Sequence, residues 1–274
     1  MSNKHFKLRK DLSINLCDVK LFRIEATRDI ERLGVKAGDL GGYVEREVNL
    51  CGNAWVYGNA CVYDNAQVFG DAQVYDDALV YDNAKVCGNA HVCGGAEVYG
   101  NAQVHDNARV YNNAHVYGSS RVCGNAHVFG NARVCGGSCV HDNVRVFGNA
   151  RVYGDTWVYD NACVYNDAQV YGTACVYGDA QVYGDAQVYG DVRVCGDKIK
   201  NPRDCKNIIN EKYNITILPE LLRIGCQCHT KKEWWNFTDR EIIAMGGRDG
   251  LQWWKKWKPI LMAICEADSE VDNG

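Results

Sequence analysis

The sequence predicts a mainly β protein. Its centre is a parallel solenoid wound as a triangular prism of about 18 residues per coil, with an N-terminal cap and a small α+β C-terminal domain. Three observations predict this. A valine stands at every sixth position from Val56 to Val194 without a gap, and Leu50 and Val44 extend the phase backward. The residues between the valines repeat one phrase, G/D–N/D–A–x–V–Y, which is nearly invariant in "GDAQVYGDAQVYGDVRV" at 178–194. Beyond residue 197 the phrase stops and the composition changes sharply.

The elements follow in chain order. Residues 1–39 form the cap, in which "VKLFRIEATRDI" reads as a strand ahead of the Gly-rich "GVKAGDLGGYVE". Residues 40–197 form the repeat. Six residues with alternating exposure suit a short strand plus a corner, with Val and the preceding Ala pointing in and the x and Tyr positions pointing out. Gly, Asn and Asp tolerate the left-handed backbone angles that a sharp corner requires. Residues 198–274 form the C-terminal domain. There "YNITILPELLRIGCQ" predicts a hairpin turning at Pro219 and Glu220. Thr230 with Glu233, and Thr238 with Glu241, have capping-box spacing and predict two short helices. "GLQWWKKWKPILMAIC" predicts a third, bent or ended near Pro259.

The phrase "VYGNAQ" resembles the hexapeptide repeat of left-handed parallel β-helices, and the resemblance spans residues 40–197. It implies a left-handed coil; the alternative is a right-handed β-helix as in bactofilin-like polymers. The segment "RIEATRDIERLGVKAGDLGGYVE", Arg23 to Glu45, and the tail "IGCQCHT…EWW…WWKKWK" are similar to phage and prophage "polymer-forming" hexapeptide proteins. That resemblance implies a phage or prophage origin and terminal segments that cover the solenoid ends.

Composition narrows the function classes. A net charge of −4 argues against a general electrostatic grip on nucleic acid or anionic membrane. No apolar run is long enough to span a bilayer and the N-terminus lacks a signal-peptide core, so a cytoplasmic protein is expected. Ten of the 15 cysteines fall on the repeat, where other coils carry Tyr, Phe, His, Arg or Gln. Such interchange marks tolerated side chains in a reducing compartment and not a disulfide framework.

Stacking the coils turns the sequence into outward columns 18 residues apart. One holds Tyr63, Tyr81, Tyr99, Tyr117, Cys135, Tyr153, Tyr171 and Tyr189, and Arg133 and Arg151 stack beside it. With His115 one coil earlier, these arginines, Tyr117 and Tyr153 are candidates for holding an anion such as a nucleotide. His105 and His141 join that ligand-binding set from the column Cys87, His105, Cys123, His141, which also offers metal-ligand types on parallel rungs. Cys226, Cys228 and His229 are weak metal candidates, because CxCH departs from the usual zinc spacing. Trp234, Trp235, Trp253, Trp254, Trp257, Lys255 and Lys256 form a partner-binding candidate, weighed against a plain aromatic core.

The expected function is non-enzymatic: a rigid scaffold or binding protein that sequesters a nucleotide-like ligand or occupies a host protein. No cofactor is expected. Long aromatic faces predict a homo-oligomer, through the β-helix faces or the C-terminal domain. One alternative is a trimeric acyl-CoA-dependent acyltransferase, although no loop interrupts the hexads between 52 and 196 as such enzymes usually require. The other is a structural polymer.

Overall fold

The structure, a computed structural model, describes residues 4–16, 18–208 and 211–271. The chain divides into two compact units, Met1–Pro202 and Arg203–Gly274. Among the described residues no helix is long and apolar enough to cross a membrane.

The first unit opens with a hairpin, β1 (Phe6–Leu16) and β2 (Val19–Ala26), paired antiparallel from Phe6↔Ala26 to Leu16↔Val19 with a register shift between Arg9 and Ser13. Of these two strands only β2 is expected from the sequence. Strand β3 (Leu40–Val44) pairs antiparallel with β2 and parallel with Cys61–Val62, so the hairpin continues directly into one solenoid sheet. β3 runs hard against the first coil. A Cβ on Gly41 would meet the Val56 carbonyl oxygen at 2.5 Å and one on Gly42 would meet that of Ala60 at 2.6 Å, hence glycine at both. Leu21, Ile24 and Trp55 are fully buried in this region. His5 is buried there too, with Nε2 2.8 Å from the Ala54 carbonyl oxygen.

From Trp55 the chain is a parallel β-solenoid. Two- and three-residue strands stack into three sheets, and paired residues lie 18 apart, as in Val92↔Val110, Val98↔Val116 and Val104↔Val122. The last rung is one residue shorter, Val182 pairing with Ile199. Every repeat valine is fully buried, as are nearly all the small residues two positions earlier. Each such valine contributes about 1.5–3 kcal/mol relative to exposure. Ser120, Ser138 and Thr156 take the alanine position in consecutive coils of one column and are equally buried.

The corners repeat as strictly as the strands. Every sixth residue from Gly52 to Gly196 has positive φ, and only Gly, Asp and Asn occur there. That is the residue set with the lowest cost in left-handed backbone. The next residue is often Asn, and its amide reaches one coil onward. Along one corner Asn89, Asn107, Asn125 and Asn143 each donate from Nδ2 to the following Oδ1 at 3.1–3.2 Å, and Asn161 donates to Asp179. Earlier in that column Asn53 donates to Asp71, and Arg32 donates to both Asp71 and Asn89.

The second unit holds a four-stranded antiparallel sheet in chain order: Lys206–Ile208, Ile215–Ile217, Leu221–Ile224 and Gln227–Thr230. Its central hairpin turns at Pro219–Glu220, where Leu218 N donates to Leu221 O. Helix α1 (Lys231–Asn236) starts with the Thr230–Glu233 capping box. Helix α2 (Asp239–Val271) starts with the same device at Thr238 and Glu241. It breaks at Gly247 (φ 68°, ψ −172°) and then continues with Pro259 inside it, so of the two expected outcomes there the helix does not end.

Candidate functional site

Side chains that depart from the repeat phrase occur on all three sheets, and the ligand-binding candidates lie on two of them. The first sheet carries the column Tyr63 to Tyr189. Its rings stack face to face: Tyr63–Tyr81 at 5.1 Å, Tyr81–Tyr99 and Tyr99–Tyr117 at 4.9 Å, with planes within 5°. The stack stops at Cys135 and resumes with Tyr153–Tyr171 at 5.0 Å and Tyr171–Tyr189 at 5.4 Å. Replacing one ring of a ladder by a thiol leaves a notch between Tyr117 and Tyr153. Two rungs of about 4.8 Å separate these rings, so an inserted planar ring would sit at the ladder's own spacing from each.

The neighbouring column supplies the charge. Glu97, His115, Arg133, Arg151 and Gln169 pair in succession across adjacent coils. An outward ring also meets the residue sixteen positions later, on the diagonal. Tyr81 donates its hydroxyl proton to Glu97 at 3.0 Å, Tyr99 meets His115 edge-on at 6.5 Å, and Tyr153 donates to Gln169 at 3.4 Å. By the same register Arg133 is the diagonal neighbour of Tyr117, and Arg151 is that of Cys135. His115 lies 3.7 Å from Glu97, whereas Arg133 and Arg151 are exposed and have no carboxylate partner among the described residues. Two like charges directly opposite in a sheet are destabilising. An anion between them reverses that sign. Tyr117 is pushed up to about 12, first by its hydrogen bond to the Cys135 thiol and then by burial, so its hydroxyl stays protonated at neutral pH.

The third sheet carries His105, Cys123 and His141 on successive rungs, well apart from the arginines. The seven ligand-binding candidates therefore fall into two groups, five on the first sheet and two on the third. Each of these histidines is held by the next residue: His105 Nδ1 lies 3.1 Å from Asp106 Oδ2, and His141 Nδ1 lies 2.8 Å from Asp142 Oδ2. The carboxylates are themselves fixed, Asp106 by Gly124 N at 3.2 Å and Asp142 by Asp160 N at 3.3 Å. His141 also stacks on Tyr159 at 5.3 Å.

Sequence reasoning missed Cys139, which sits diagonally beside Cys123. The Cys123 thiol is the largest influence on it. That influence, followed by the charges of His141 and Arg121, lowers Cys139 to about 6 against the opposing effect of burial, and it raises Cys123. The signal that finds it is the interval of sixteen, since 139 is 123 plus sixteen.

In the C-terminal unit Trp234 and Trp254 are buried with Ile215, Ile217, Leu222 and Leu261, and Trp235, Trp253 and Trp257 pack against that cluster partly buried. Trp234 Nε1 donates to the Leu222 carbonyl oxygen at 2.5 Å. Lys255 pairs with Asp239 at 2.6 Å, and Lys256 is exposed. The aromatic run thus builds an interior, around an apolar cavity of about 70 Å³ lined by Tyr213, Met245 and Trp253 among others. Cys226 is exposed ahead of the last strand, while His229 packs edge-on against Trp234 and Phe237 at 5.4 and 4.9 Å. Among the described residues the grouping of metal-ligand atoms is His105, Asp106 and Cys123, all within 4.8 Å of one another.

Stacked coils, one-phrase repeats and functional side chains carried only as departures from the phrase define a repeat β-solenoid protein. Scanned against protein families, the chain matches the YdcK beta-solenoid repeat at residues 72–88, 102–118, 144–160 and 180–196. A search of the curated proteins finds no match for it.

Proposed function

We propose that this chain is a non-enzymatic scaffold and binding protein whose first sheet takes an anionic, ring-bearing ligand of the nucleotide class. The observation that carries this reading is the single missing ring at Cys135, diagonal to Arg151 and flanked by Tyr117 and Tyr153. A base entering that rung stacks on both sides, and base–aromatic stacking is worth about 1–3 kcal/mol per base. Its phosphate meets the guanidiniums of Arg133 and Arg151, and charge-assisted bonds of that kind are roughly twice as strong as neutral ones. His115 extends the same polar strip. Phage or prophage origin belongs to this reading through the resemblance of the Arg23–Glu45 segment, and so does self-association through the aromatic sheets.

The decisive experiment is a calorimetric titration of the full chain with nucleoside mono-, di- and triphosphates. Wild type is expected to bind at least one series. Cys135→Tyr completes the ladder, and is expected to abolish binding while leaving the melting temperature equal or higher. If no nucleotide binds wild type, or if Cys135→Tyr binds as well as wild type does, the reading is wrong.

A further inference from the structure

The third sheet holds a second cluster, independent of the arginine notch. We infer that it binds a thiophilic divalent cation of the zinc class through His105, Asp106 and Cys123. Three observations carry this. The donor atoms of His105, Asp106 and Cys123 already lie within 4.8 Å of one another. Cys139 sits on the diagonal beside Cys123 and keeps a second sulfur next to the ligating one. His105 is oriented by a carboxylate that is itself tied to the Gly124 amide. One thiolate, one imidazole and one carboxylate form a donor set that zinc accepts, with a water in the fourth position. Donors about 2.0–2.3 Å from a tetrahedral ion stand about 3.3–3.8 Å apart, so these three close on an ion by side-chain movements of about 1 Å.

Two competing arrangements fit less well. His141 lies on the other side of Cys123, but its ring is engaged by the Tyr159 stack and by Asp142, so it flanks the site without ligating. A Cys123–Cys139 disulfide meets a different obstacle. Arg121 pairs directly with Cys139, and Cys123 is two residues further along its strand. Diagonal neighbours in a sheet stand about 7–8 Å apart. Disulfide Cα separations are usually about 4.4–6.8 Å, and the stacked coils hold the two backbones in place.

The test is metal loading of the full chain after reduction and chelator treatment, with Zn²⁺ counted by elemental analysis and Co²⁺ used as an optical reporter of thiolate ligation. The expected result is about one ion per chain with a cobalt–thiolate charge-transfer band. Both are expected to be lost in the Cys123→Ser/Cys139→Ser double variant and kept in Cys226→Ser/Cys228→Ser. His105→Gln is expected to weaken competition against a chromogenic chelator by about tenfold or more, in line with loss of one ligand. Circular dichroism of each variant separates lost ligation from lost fold, both serine positions lying on outward columns. Stoichiometry unchanged in the Cys123/Cys139 variant, loss confined to the Cys226/Cys228 variant, or a Cys123–Cys139 disulfide with no metal uptake after reduction would each overturn the inference.

Discussion

The solenoid and the C-terminal unit are stabilised in opposite ways. In the solenoid one contact set recurs at every coil, with valine and alanine inside, a left-handed residue at each corner and the same backbone bonds to the next rung. In the C-terminal unit the core is built from contacts that do not recur: Trp234 meets Trp254, Phe237, His229 and the Leu222 carbonyl in one arrangement. Repetition frees the outward columns to vary, so chemistry is found there as departures from the phrase. In the unrepeated unit the tryptophans are committed to the core cluster or packed against it.

That contrast is broken or sharpened by substitution. The largest effect is expected for Trp234→Ala, which empties the C-terminal core and removes the bond to Leu222, at a cost of about 3–5 kcal/mol. Chemical denaturation followed by tryptophan fluorescence measures it. A loss below about 1 kcal/mol would put this unit in the same tolerant class as the outward columns.

A middle-sized effect is expected inside the solenoid, where the cost of a corner change depends on what lies one coil away. Gly136 and Gly196 both have φ of 72°, but a Cβ on Gly136 would meet Gly154 N and O at 2.8 Å, whereas one on Gly196 meets nothing within 4 Å. Alanine at either adds about 1 kcal/mol of backbone strain. At Gly136 it also has to displace a neighbouring coil, so Gly136→Ala is expected to lower the thermal midpoint clearly more than Gly196→Ala. Equal shifts would mean that adjacent coils move apart freely.

The smallest effect is electrostatic and sits at the N-terminal end of the first unit. Burial holds His5 below its ordinary value near 6.5, outweighing the opposing bond to Ala54. The unfolded chain takes up a proton near 6.5 while the folded chain resists, so this stability is present above that pH and is lost as the pH falls through it. His5→Phe is expected to flatten the fall in midpoint between about pH 7.5 and 5.5. Parallel slopes for the two proteins would remove His5 from the account.

The same contrast decides how much of the molecule is legible in its sequence. The six-residue interval assigns a sheet and a rung to every residue from Leu50 to Val194, so counting alone makes neighbours of Tyr117, Arg133, Cys135, Arg151 and Tyr153. Reading by columns hides the diagonal. Tyr81 with Glu97, His141 with Trp157, and Cys123 with Cys139 all meet at a separation of sixteen. Strand β1 escapes the pattern although Phe6, Leu8, Leu12, Ile14 and Leu16 alternate, because Lys10 and Asp11 interrupt it where the register shifts. In the C-terminal unit, spacing locates the helix starts through Thr230 and Thr238. It carries no information on whether the tryptophans face in or out, which packing against the four-stranded sheet decides.

The corner of amides adds a side-chain polarity to the one the backbone already has, whose coil-to-coil bonds from Trp55 to Ala72, Tyr57 to Val74 and onward also donate toward the next coil. Each asparagine passes a hydrogen bond in the same chain direction, so the column from Asn89 to Asp179 is a one-way relay of aligned dipoles. Aspartate accepts and cannot donate, so Asp179 ends the relay. Asp71 ends a shorter one and faces another acceptor in Asn89; Arg32 supplies donors to both. A one-atom difference between Asn and Asp thereby writes start and stop signals into an otherwise uniform column, and Asp179→Asn would erase one of them without altering the shape of the coil.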